Sequence, residues 1–123
     1  MKPQADESHA HVLDRHVFDE LLETLGNDTA RVRKVYRKFL DNAATRLEEV
    51  RHQSVTDVAA TFHALKGSAS MVGANRFAAI AARLQEEAPR LDNETKVSAL
   101  GELEVQLAAF RQALSAVLDS EPV

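Results

Sequence analysis

The chain carries 5 histidines, and one of them stands in surroundings that a packing helix does not require. His63 has Ala59 and Ala60 one helical turn before it, and Lys66 and Gly67 one turn after it. Three of these neighbours are Ala or Gly, so the imidazole is expected to stand in a clearing. A glycine inside a helix costs roughly 0.5–1 kcal/mol relative to Ala, which a purely structural helix would avoid. Lys66 adds a positive charge suited to a phosphoryl or carboxylate group beside the ring. A neutral imidazole offers a nitrogen lone pair, and phosphoryl transfer asks chiefly for positioning and for charge compensation on the equatorial oxygens. Together these residues describe a nucleophile on a surface over which another protein's active site can close. The same spacing fits a surface histidine without chemistry, next to a glycine that merely lets two helices approach. Spacing alone leaves both readings open.

Apolar residues recur at helical spacing almost throughout the chain. Val17, Phe18, Leu21, Leu22 and Leu25 mark a short helix that Asp14 can cap and Gly26 can end. Asp28 can cap a second helix with the stripe Val32, Val35, Tyr36, Phe39, Ala43, Leu47 and Val50. A third starts at Ser54, with Asp57 as capping-box-like partner, and its seam is Val55, Val58, Phe62, Leu65, Ala69 and Val72, stopped by Gly73. That seam turns His63 roughly 100° off the core side, onto the flank of the helix. A fourth helix opens near Asn75, buries Phe77, Ile80, Ala81 and Leu84, and ends around Ala88 because Pro89 cannot continue the ladder. A last one begins at Asp92 or Asn93 and carries Val97, Leu100, Leu103, Leu107, Phe110, Leu114 and Val117. Short connections force antiparallel neighbours. The expected fold is all-α: an antiparallel up-down four-helix bundle with a short additional N-terminal helix, over residues 12–119. Residues 1–11 are polar, contain Pro3, and read as a tail or linker.

Composition narrows the function classes. A length of 123 residues supports one core, and 4 Gly with 3 Pro argue against a sandwich of many short strands. With 0 Cys, disulfides, thiolate zinc sites and cysteine nucleophiles are excluded. A net charge of −4 disfavours nucleic acid as a partner. No apolar run is long enough to span a membrane and the start has no signal-like segment, so a cytoplasmic protein is expected.

The run His63-Ala64-Leu65-Lys66-Gly67-Ser68-Ala69-Ser70-Met71-Val72-Gly73-Ala74 resembles the signature of histidine-containing phosphotransfer domains, His-x-Leu-Lys-Gly-small-small-x-x-aliphatic-Gly-Ala/Leu. It matches at every defined position, and the helix plan on both sides agrees. The entry from Val12-Leu13-Asp14 to Leu25-Gly26 also looks like that of such domains. The resemblance implies that His63 takes a phosphoryl group from a receiver-domain aspartate, through its distal ring nitrogen, and passes it to another receiver aspartate. It also implies a polar partner for the other nitrogen. In several relatives this is a Gln on the following helix, and Gln85, one residue past the seam position Leu84, sits at the matching place. A solvated surface amide is the competing reading of Gln85. Ala59, Ala60 and Ser70 are expected on the docking surface, and Ser68 is expected to be a small packing residue. Receiver domains, and a hybrid sensor kinase of which this domain could be the cytosolic C-terminal piece, are the implied partners of a monomeric carrier. No cofactor is expected, since magnesium would belong to the receiver.

Other features are weaker. There is no glycine-rich phosphate loop and no acidic magnesium cluster, which argues against an ATP-dependent kinase. His9 and His11 could chelate a metal only weakly, with His16 nearby and no organised further ligand. His52 reads as a capping or surface residue at the end of the second helix. The basic run Arg31, Arg33, Lys34, Arg37 and Lys38 is interrupted by Tyr36 and the apolar stripe, so its charges spread over more than one face. A solvated face that helps to dock an acidic receiver fits this better than a nucleic-acid patch. Two rivals to the carrier remain: a similar bundle that binds partners without using the histidine, and a helical metalloenzyme or hydrolase. The second lacks another His or a carboxylate one turn from His63.

Overall fold

Side-chain caps set where the helices begin. In the computed structural model, which describes residues 10–120, the Asp14 carboxylate accepts hydrogen bonds from the backbone of His16 and Val17 and opens α1 (Arg15–Thr24). Asp28 accepts from Ala30 and Arg31 and opens α2 (Thr29–Val50), and the Ser54 hydroxyl accepts from Asp57 and opens α3 (Val55–Met71). A tight turn leads to α4 (Asn75–Glu87), followed by a 3-10 turn, Ala88–Arg90, containing Pro89. Asp92 and Thr95 then bond reciprocally, Thr95 N–H to Asp92 Oδ1 at 2.8 Å and Asp92 N–H to Thr95 Oγ1 at 2.9 Å, and α5 (Asn93–Ser120) follows. Among the described residues there is no strand.

Helices α2 to α5 form an antiparallel ring in which α3 and α5 are diagonal, each packed between α2 and α4. The expected four-helix bundle with its short N-terminal helix is the fold. One core runs through it, built on fully buried Tyr36, Phe18, Phe62, Phe77, Phe110 and Leu65. Its aromatic rings meet in a chain: Phe18 stacks on Tyr36 at 6.0 Å between centroids, Tyr36 leans on Phe110, and Phe39 meets both Phe110 and Phe77 edge-on.

Helix α1 closes one end of the ring. The Asp14 N–H donates to the Gly73 carbonyl at 2.7 Å, and Asn75 donates its side-chain amide to Asp14 at 3.0 Å. Gly73 has φ +80°, and a Cβ there would stand 3.0 Å from the Val17 Cβ and 3.1 Å from the Asp14 carbonyl. Glycine is therefore required at this turn for its backbone and for the close approach of α1. The Tyr36 hydroxyl donates to the Val72 carbonyl at 2.9 Å inside the core, binding α2 to the same turn. The expected boundary between tail and bundle falls inside a pinned stretch: Arg76 donates its backbone N–H to the His11 carbonyl and its Nε to that of Ala10. The remainder of the expected tail, with His9, lies outside the described residues.

The seams need two corrections. Val55, the first residue of α3, is 49% exposed, and Val97, in the opening turns of α5, is 57% exposed. Val55 precedes the turn where α3 first meets its neighbours, with Val58 the first core residue; in α5 the inward places are taken by Ala99 and Leu100. At the far end of α5, Leu118 fills the core and Val117 is half-buried against it. Core-facing residues of the short α1 other than Phe18 are only partly buried, as a helix lying across the end of a bundle requires.

Candidate functional site

The outer face of α3 gathers the residues with chemical potential. Phe62 and Leu65 are fully buried and fix the rotation of α3, so His63 and Lys66, one residue on from each, are turned out to solvent. Thr61, the one buried polar residue of the described core, donates to Gln53 Oε1 at 2.8 Å and ties the start of α3 to the loop before it. Helix α4 packs closely along α3 and brings Gln85, half-buried beside the buried Leu84, to the imidazole. His63 Nδ1 lies 3.4 Å from Gln85 Oε1, at the long end of hydrogen bonding. A carbonyl oxygen can only accept, so this contact fits the tautomer with its proton on Nδ1. Nε2, the other ring nitrogen, then keeps its lone pair on the open side.

Lys66 is exposed and makes no hydrogen bond or ion pair among the described residues, so its ammonium is available to an incoming anion. Gly67 bears on one of the two readings of the sequence, that of a glycine placed to let helices approach. A Cβ built on it meets nothing within 4 Å, so the glycine does not serve helix packing within this chain. Ala60 and Ser70 are exposed on the same outer side. Ala59 is half-buried against the core and offers only part of its surface. Ser68 differs from expectation: it is exposed, and its hydroxyl donates back to the Ala64 and Leu65 carbonyls of its own helix.

One residue of this face was not singled out from the sequence. Met71 is 78% exposed, the most exposed large apolar side chain among the described residues. The progression His63, Gly67, Met71 in steps of four was the signal available for it.

The remaining histidines and basic residues lie apart from this site. His16 pairs with Glu20 at 2.9 Å on α1, and His52 is exposed beyond the end of α2. No group of three or more metal-ligating side chains occurs among the described residues. In the basic run, Arg31 pairs with Asp28 and Arg33 with Asp119 of α5, while Lys34, Arg37 and Lys38 are exposed on α2. No helix of the described residues is long and apolar enough to cross a membrane.

The molecule is thus a ring of four antiparallel helices that carries a solvent-facing histidine, an unpaired lysine and an unobstructed glycine on one side of α3. The Hpt domain family model matches residues 34–120, and the chain belongs to that family. Its role is accordingly a phosphotransfer role in two-component signalling, and Hpt domains interact with receiver domains. No curated protein and no solved structure matches the chain significantly.

Proposed function

We propose that the protein is a phosphorelay intermediate: His63 accepts a phosphoryl group from the aspartyl phosphate of one receiver domain and delivers it to the aspartate of another. The Nε2 lone pair forms the N–P bond while the P–O bond to the receiver's carboxylate breaks, and the bonding pair leaves on that carboxylate. Nδ1 keeps its proton throughout. The positive charge that the ring acquires faces the Gln85 carbonyl oxygen, which accepts the Nδ1 hydrogen bond more strongly as that charge develops. Lys66 offsets negative charge on the phosphoryl oxygens, and Gly67 leaves room for the receiver. Delivery is the same step reversed with a second receiver. Magnesium belongs to the receiver's own site in this scheme.

The observation that supports this most is the contact of His63 Nδ1 with Gln85 Oε1, which fits the tautomer that leaves Nε2 as the nucleophile. A module that only bound partners would have no use for a selected tautomer. Incubation with a phosphorylated receiver should label the wild type at His63 with an acid-labile phosphoryl group and leave His63→Gln unlabelled. Equal labelling of both proteins, or receiver binding without any labelling, would overturn the proposal.

A further inference from the structure

We infer that Met71 is the apolar anchor through which this protein selects its receivers, an inference that rests on the carrier function proposed above. Met71 follows His63 by eight residues on α3, about 12 Å along the helix axis. A specific interface covers about 800 Å² on each partner, a disc of about 16 Å radius, so a receiver centred on His63 reaches Met71. Gly67 lies between the two residues on the helix surface, and a Cβ there would meet nothing within 4 Å.

The chain's own packing does not account for this side chain. At 78% exposure it contributes little to the core, and its neighbours one turn back, Gly67 and Ser68, are themselves exposed. The phosphoryl chemistry does not account for it either, since the signature leaves its position open. Val55, Val97 and Val105 are also exposed, but Val55 is only 49% exposed in the first turn of α3, and Val97 and Val105 lie on α5, diagonal to α3. What remains is a contact with whatever covers His63. A thioether side chain with three rotatable bonds adapts to more than one surface, as suits a carrier that docks both a donor and an acceptor. The partner favoured is a receiver whose surface, about 12 Å from its aspartyl phosphate, is apolar rather than charged.

The test uses the full chain as wild type, Met71→Ala and Met71→Leu. Each is phosphorylated at His63 with phosphoramidate, a small donor that needs no docking, then mixed with a panel of purified receiver domains from the source organism. Met71→Ala should label with phosphoramidate at the wild-type rate and lose about tenfold in kcat/KM towards the preferred receiver, mostly through KM. Met71→Leu should stay close to wild type. If Met71→Ala matches wild type with every receiver that wild type serves, the anchor is disproved while the carrier function stands. If labelling by phosphoramidate slows as much as transfer does, the residue acts on the histidine rather than on docking, and the inference fails. If wild-type phosphohistidine passes its group to no receiver, the carrier function fails and takes the inference with it. A wild-type dimer that Met71→Ala dissolves, with transfer unchanged, would assign the residue to self-association and likewise overturn the inference.

Discussion

Replacing Gly67 by Ala should make the protein more stable and a poorer phosphoryl carrier. The added methyl meets nothing within 4 Å, and φ at Gly67 is not in the left-handed region, so Ala fits without strain. The gain is the ordinary difference between Gly and Ala in a helix interior, about 0.5–1 kcal/mol. For 123 residues, an unfolding entropy near 2.1 cal/mol/K per residue converts this to a rise in Tm of about 2–4 °C. In the docking proposed above, the same methyl would occupy space left for the receiver. Overpacking of a close contact costs about 1–3 kcal/mol, so transfer should slow by about fivefold or more. Gly67→Leu should block transfer while leaving the far-ultraviolet circular dichroism helical. Gly101 supplies the control: it too is a helical glycine with open surroundings, on α5 diagonal to α3. Gly101→Ala should raise Tm by a similar amount and leave transfer unchanged. Calorimetry and a receiver transfer assay on the same samples decide the matter. Unchanged transfer by a stabilised Gly67→Ala, or unimpaired transfer by Gly67→Leu, would refute the claim that this glycine exists for the visitor. Slowed transfer by Gly101→Ala would refute the assignment of the docking face.

Other expectations concern the parts that hold the site. Gln85→Ala should slow transfer several-fold, about 1 kcal/mol for a lost hydrogen bond, with Gln85→Glu closer to wild type, and nitrogen NMR of His63 should show the Nδ1–H tautomer less populated in the Ala variant. Tyr36→Phe leaves the buried Val72 carbonyl unpartnered and should cost about 1–2 kcal/mol in urea unfolding. Burial, with a smaller contribution from Asp14, pushes the Tyr36 phenol well above its ordinary value, so the folded state holds that proton longer than the unfolded chain. Stability should therefore fall as pH rises beyond about 10. Because the chain has 1 Tyr, phenolate absorbance should appear only together with unfolding. Asp14→Ala should cost about 1 kcal/mol at neutral pH. The Asn75 hydrogen bond, with those from Val17 and His16, holds the Asp14 carboxyl below its ordinary range, so its contribution is present above that range and lost as pH falls through the lowered value. The gap between wild type and Asp14→Ala should close in acid, and a constant gap would contradict this.

The helix plan was legible because its ends are chemically marked. Asp14, Asp28 and Ser54 each cap the helix expected of them, and Gly73 and Pro89 interrupt the ladder where expected. Periodicity erred at Val55 and Val97, in opening turns, where burial depends on how far the neighbouring helices extend. His63, Lys66 and Gly67 stood out because they share one helix and their spacing alone fixes their relation. The contact with Gln85 depends on how α4 is rotated and slid against α3, which local pattern does not encode; for that residue the reading rested on resemblance. The Tyr36 and Thr61 hydrogen bonds escaped for the same reason, since each joins segments distant or irregular in the chain. Met71 already lay off the α3 seam in the sequence, but its exposure depends on what the neighbouring helices leave uncovered.

The imidazole of His63 is exposed on the outer side of α3, with Gln85 beside its Nδ1. In the relay proposed above, donor and acceptor both need the same Nε2 and therefore queue for one berth. Traffic through the bundle would obey ping-pong kinetics, each caller departing before the next arrives. An abundant idle receiver would then throttle signalling by mere occupancy, with no chemistry of its own, and brief residence would matter more than tight grip.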